Sequence, residues 1–162
     1  GITEMHVREL PKPAITALTG HFCLPRLQSV SQLPILSATT AIDAYCAGHG
    51  IGRLGLLGSP SVLKSGLFGL LQEVDTVAPG EDPESVGQTY MEIASQGACT
   101  TDQADLLVSV GAEMMRAQKA DAILLAGTDL RLVFNDTDIS YPVIDALALH
   151  VDAFLEIARR RR

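Results

Sequence analysis

Asp121-Ala122-Ile123-Leu124-Leu125-Ala126-Gly127-Thr128-Asp129-Leu130 is the stretch that decides the fold. Its first part is a short, unbroken apolar run. Strands of a parallel sheet are buried on both faces and read this way. The predicted strand, residues 122–125, hands Gly127, Thr128 and Asp129 to the loop at its carboxyl end. In open α/β sheets ligands bind outside that edge. Thr128 offers a hydroxyl to a carboxylate or amine. Asp129 offers a charge to an ammonium group or a base to a proton. Both are candidate catalytic residues, and Thr128 is also a candidate for holding substrate.

A second apolar run, Arg53-Leu54-Gly55-Leu56-Leu57-Gly58, has the same character. Ser59-Pro60-Ser61 follows it and opens a helix expected over residues 62–72, because serine caps and proline suits a first helical turn. Backbone N–H groups at such a junction attract anions, and Lys64 would add a point charge. Ser59, Ser61 and Lys64 are therefore candidate substrate-binding residues, expected to share a pocket with Thr128 and Asp129. Weaker strands are expected at 14–18, 33–36, 74–78 and 142–144. Helices are expected at 25–30, 38–47 (capped by Ser37), 84–94, 101–117 and 145–159. In 101–117 the apolar face is Ala104, Leu107, Val108, Ala112 and Met115; in the last helix Ala148, Val151, Leu155 and Ala158 should point inward. Strands alternating with helices mean an α/β fold with a mostly parallel, Rossmann- or flavodoxin-like sheet, helices on both faces and right-handed crossovers.

Composition sets the outer limits. The chain has 162 residues, 47% hydrophobic and 19% charged, which suits a packed domain and not a disordered one. A net charge of −7 argues against a general nucleic-acid binder. The cluster Arg159 to Arg162 is the exception, and cations at the end of a helix complement its dipole. Cys23, Cys46 and Cys99 fit neither a zinc site nor a disulfide framework, and Cys46 reads as a core residue. No metal is expected. No apolar run approaches the ~20 residues that span a bilayer, and no signal peptide is visible. A cytoplasmic protein with no membrane partner is the expectation.

Several motifs together carry a family likeness. Ala126-Gly127-Thr128-Asp129 resembles the second catalytic motif of the aspartate/glutamate racemase family, usually Gly-Cys-Thr-Glu. Leu56-Leu57-Gly58-Ser59 with Ser61, Lys64, Ser65 and Gly66 is similar to that family's Leu-Leu-Gly-Thr-x-x-Thr-x-x-Ser-Gly segment. Gly97 and Ala120-Asp121-Ala122-Ile123 resemble the run into its second cysteine loop. Pro142-Val143-Ile144-Asp145, with Leu149-His150, resembles its closing segment. The first-lobe motif, Cys-Asn-Thr-x-His, is best matched by Ala17-Leu18-Thr19-Gly20-His21. Neither cysteine of the two motifs is present.

The resemblance implies two lobes facing across a cleft, each supplying a thiol, with proton transfer at the α-carbon of an amino acid and no cofactor. It places residues 1–50 as a remnant of the first lobe, 51–141 as the second lobe, and 142–162 as a closing strand and helix that pack back on the first. It also implies a homodimer. Thr19 and His21 would bind substrate and shuttle a proton, His21 serving as a base because imidazole titrates near neutrality. Cys23 offers a displaced thiol, and His150 would reach the cleft from the last helix. The function expected is an isomerase of the amino-acid racemase type acting on a small amino acid or related carboxylate. The alternatives are a non-catalytic carboxylate-binding or structural domain on the same fold, or a related decarboxylase or isomerase.

Overall fold

The computed structural model describes residues 13–15, 17–80, 82–135 and 138–159. The polar segment 1–12 and residues 160–162 of the basic cluster lie outside them.

Four parallel strands form one sheet in the order β2-β1-β3-β4: β1 is Arg53–Gly58, β2 Asp75–Val77, β3 Ala122–Ala126 and β4 Val143–Asp145. The two apolar runs pair along their full length, Leu54 with Ala122 through Gly58 with Ala126. All of β3 and all but the first residue of β1 are buried. Asp121 locks their entry, accepting from the N–H groups of Gly52 and Arg53 at 2.9 Å each.

The helices are α1 (Leu24–Val30), α2 (Ala38–His49), α3 (Pro60–Ser65), α4 (Pro83–Gln96), α5 (Thr101–Ala117), α6 (Arg131–Phe134) and α7 (Ala146–Arg159). Their ends follow from local chemistry. Ser37 accepts from the Thr39 N–H at the start of α2, and Gly50 closes that helix with φ 67°. Thr100 and Gln103 form a reciprocal capping box on α5. Asp145 caps α7 by accepting from the Leu147 and Ala148 N–H groups, and its second oxygen lies 3.5 Å from Arg131.

Three expectations of secondary structure need correction. The strand expected at 14–18 is a single bridge from Ala14 to Leu36, and Leu18–Cys23 is a 3-10 helix. The strand expected at 33–36 is the other half of that bridge. The helix expected over 62–72 stops at Ser65, because Gly66, Leu67 and Phe68 take φ values of 56°, 57° and 61°. Left-handed backbone cannot continue a right-handed helix.

The inward faces also differ. In α7 the stripe Ala146, His150, Ala153, Ile157 faces the protein, while Ala148, Val151, Leu155 and Ala158 are exposed. In α5 the buried line is Leu107, Gly111 and Met114, and Ala112 faces solvent. Both helices carry two apolar stripes at helical spacing, so periodicity alone does not choose between them. Tertiary contacts do: α7 docks on α2 and β3, and Tyr141 packs over Gly111.

Candidate functional site

The sheet's carboxyl edge gathers the chemistry. Because Gly58 pairs with Ala126, Ser59 and Gly127 leave adjacent strands side by side. After Gly127, Thr128–Leu130 make a 3-10 turn, and the Thr128 hydroxyl donates to Asp129 Oδ2 at 3.0 Å. Helix α4 contacts β1, α3 and this turn, so it runs over the same edge. On the other side α2 and α7 pack against each other, and α7 rests on β3.

A pocket opens between α2, α7 and the end of β3, lined by Leu18, Ala38, Gly127, Thr128, Ala146 and His150 among others. Its free space is about 20 Å³, room for about one water molecule. His150 is only 4% exposed, and its Nε2 has no hydrogen-bond partner. The Leu36 carbonyl interacts with the same ring. A carbonyl can only accept, so the ring nitrogen it meets carries the proton. Burial pushes the His150 pKa below the usual range, and the neighbouring His21 pushes it further down, against an upward pull from Leu36. His150 is thus a buried imidazole favoured in its neutral form, its Nε2 unpaired, in the wall that also holds Gly127 and Thr128.

His21 is fully buried, and both its nitrogens are engaged. Nδ1 lies 3.2 Å from the Ala17 carbonyl, and Nε2 accepts from the Ala38 N–H at 3.2 Å. The tautomer with its proton on Nδ1 satisfies both contacts. The ring therefore caps the first turn of α2 and leaves no lone pair for the proton shuttle expected of it. It stands behind His150, with ring centroids 6.4 Å apart. Burial lowers its pKa as well.

The remaining candidates separate. Ser59 is buried and shares a hydrogen bond with Ser61 at 3.1 Å. Lys64 is exposed and lines a different surface cavity with Pro60, Asp82, Pro83 and Glu84. The expectation that Lys64 and Thr128 share one pocket is not met. With α3 only six residues long, Lys64 sits in its last turn, facing solvent. Thr19 is exposed, and the Cys23 thiol donates to the Gly20 carbonyl at 3.2 Å. Asp129 is half-buried beside Thr128. Among the described residues no group of three His, Cys, Asp or Glu side chains could hold a metal ion, and no helix is long and apolar enough to cross a membrane.

Sequence reasoning missed Tyr90. A Cβ on Gly127 would lie 2.5 Å from both Oη and Cε2 of Tyr90, which reaches over from α4 and is 8% exposed. Gly127 has extended backbone, φ −161°, so torsion does not demand glycine there. Space does. The only signal in the sequence is a glycine at a strand end, which marks close approach of something else.

The sequence profile of the Asp/Glu/Hydantoin racemase family matches residues 13–154. The chain belongs to that family. Solved structures of the racemase type share its fold. A candidate Asp/Glu racemase from Yersinia pestis is 26% identical, with TM-score 0.80 over 90% of this chain and 65% of its own. An aspartate racemase homologue from Pyrococcus horikoshii is 19% identical, with TM-score 0.74 over 90% and 66%. Glutamate racemase from Francisella tularensis, solved with D-glutamate, is 11% identical, with TM-score 0.61 over 99% and 64%. The chain thus spans about two thirds of the length of these racemase-fold proteins. No curated protein is similar enough in sequence to match it.

Proposed function

We propose that this protein is a racemase-type isomerase that moves a proton at the α-carbon of a small amino acid or related carboxylate, without a cofactor. The observation that carries this reading is the buried, unpaired Nε2 of His150 in one pocket with Gly127 and Thr128. A buried polar atom without a partner costs about 1–3 kcal/mol, and one kept at the ligand-binding edge of a racemase-family sheet has a functional rationale. In this reading Nε2 accepts the α-proton, while the Thr128 hydroxyl holds the substrate carboxylate or amine. Residues 51–141 then act as the second lobe, residues up to 50 belong to the first, and 142–162 tie the two together through the packing of α7 on α2. The test is incubation with L- and D-aspartate and glutamate, and with amidated and hydroxy analogues, in D2O. Chiral chromatography and proton NMR at the α-carbon should show inversion with deuterium incorporation. Neither signal on any substrate refutes the reading.

A second reading, a structural domain on the racemase fold without catalysis, is favoured by one observation. The pocket has about 20 Å³ free, whereas small-molecule sites usually offer about 300 Å³ or more. Calorimetry that shows no binding of dicarboxylates or amino acids, with no deuterium exchange, would establish it.

A further inference from the structure

A second cavity lies between α4 and α5 and shares no lining residue with the pocket at His150. The pattern of α5 builds one side of it. Leu106, Val110 and Met114 recur every four residues and so share one helix face. Leu106 is 40% exposed, Val110 half-buried, and Met114 fully buried with its thioether against Gly55 of β1. The stripe therefore descends from the surface to the sheet. Val86, which is buried, lines the cavity from α4. The free space is about 660 Å³, the size of a small-molecule site, for which about 300–1,000 Å³ is usual.

The polar groups decide what such a site would hold. Its charged lining residues are Asp82 and Glu113, both acidic, and no described Lys, Arg or His lines it. Asp82 Oδ1 accepts from the Ser85 N–H as the cap of α4, and Glu113 meets the exposed Arg116 at 2.7 Å. Capping leaves the carboxylate its charge, and an ion pair as exposed as Glu113 with Arg116 is worth little. An anion, such as a substrate carboxylate, meets only like charge here. We infer that this cleft binds a small organic cation, an ammonium group carried on an aryl or alkyl body. The body packs on Val86, Val110 and Met114, and the ammonium faces Asp82 and Glu113. The inference goes beyond the isomerase reading and does not depend on it.

The probes are 2-phenylethylammonium, its neutral analogue 2-phenylethanol and the anion 3-phenylpropionate, each titrated into the full chain carrying carbon-13 in its methionine methyl groups. The Met114 signal, identified from Met114→Leu, should shift saturably with the cation. Affinity should fall about tenfold for the alcohol, and further for the anion. Asp82→Asn combined with Glu113→Gln should bring the cation down to the level of the alcohol, and asparagine still caps α4. Val110→Phe fills the cleft and should abolish the shift with all three probes. No saturable shift with the cation overturns the site, and so does a shift that persists in Val110→Phe. Equal affinity for cation and anion, or a cation preference that survives loss of both carboxylates, overturns the ligand class. A Met114 signal that moves with protein concentration, alongside a dimer in sedimentation, means that a second copy covers the cleft and overturns the proposal.

Discussion

Gly127→Ala isolates the contact between the end of β3 and the Tyr90 ring of α4. The new methyl would lie 2.5 Å from Tyr90 Oη and Cε2, whereas carbon contacts settle near 3.5–4.0 Å. The ring must therefore retreat by about 1 Å within a close-packed interior. Overpacking of this kind costs about 1–3 kcal/mol. Against it, alanine reduces the freedom of the unfolded chain, a gain of about 0.4–1 kcal/mol where the native backbone suits it. Gly127 is such a position, at φ −161° and ψ 135°. The steric cost wins, and a net loss of about 1–2 kcal/mol is expected. In a Tyr90→Leu background the methyl has room, so the same substitution should be neutral or stabilising. Urea unfolding of the four proteins of this cycle, at common m-value, reads the difference. A coupling below about 0.5 kcal/mol would mean that Tyr90 does not occupy the position-127 volume.

Three further outcomes follow from other parts of the molecule. His21 and His150 both have lowered pKa values, so the unfolded chain binds more protons than the folded one below pH 6.5. Stability should be level above that pH and fall as pH drops below it, with a slope of up to about 1.4 kcal/mol per pH unit for each histidine; urea midpoints from pH 7.5 to 5 check it, and a flat profile contradicts the buried, neutral assignment. Asp121→Ala removes the acceptor shared by the Gly52 and Arg53 N–H groups and should cost about 1–2 kcal/mol, with faster hydrogen exchange at those two amides. Tyr141, which donates to the Val108 carbonyl at 2.8 Å, has its pKa pushed up to about 12 by burial. Its contribution is present below pH 10 and lost as pH rises from there, so Tyr141→Phe should lower stability at neutral pH by about 1 kcal/mol and flatten the alkaline decline seen by thermal unfolding.

The central βα frame was legible because its signals are local. Continuous apolar runs marked β1 and β3, and Ser37 marked the start of α2. What failed needed information from elsewhere in the chain. Ala14 and Leu36 sit in segments too short to form more than one bridge. Gly66 ends α3 in left-handed backbone, and Leu67 and Phe68 continue that conformation, which their residue types do not announce. In α7 a buried histidine occupies the inward stripe, and a polar residue there made the wholly apolar stripe the better guess. Thr128 and His150, both expected from motif and position, line one pocket. The engagement of both His21 nitrogens depends on Ala38, 17 residues away, and spacing does not reveal it.

Tyr90 shows the same limit in its sharpest form. A motif comparison asks which residue stands at position 127, and the answer, glycine, reads as loss of a functional group. The folded chain poses a different question, namely which atoms stand in the space beyond that Cα, and the answer is a phenol from α4, 37 positions earlier in sequence. The two residues are a matched pair. Tyr90 fits only because position 127 has no side chain, and any larger residue at 127 requires a smaller one at 90. Gly127 is therefore better understood as the opening that admits Tyr90 than as a gap in the site. A variant combining Gly127→Cys with Tyr90→Ala should accordingly fold where Gly127→Cys alone is destabilised.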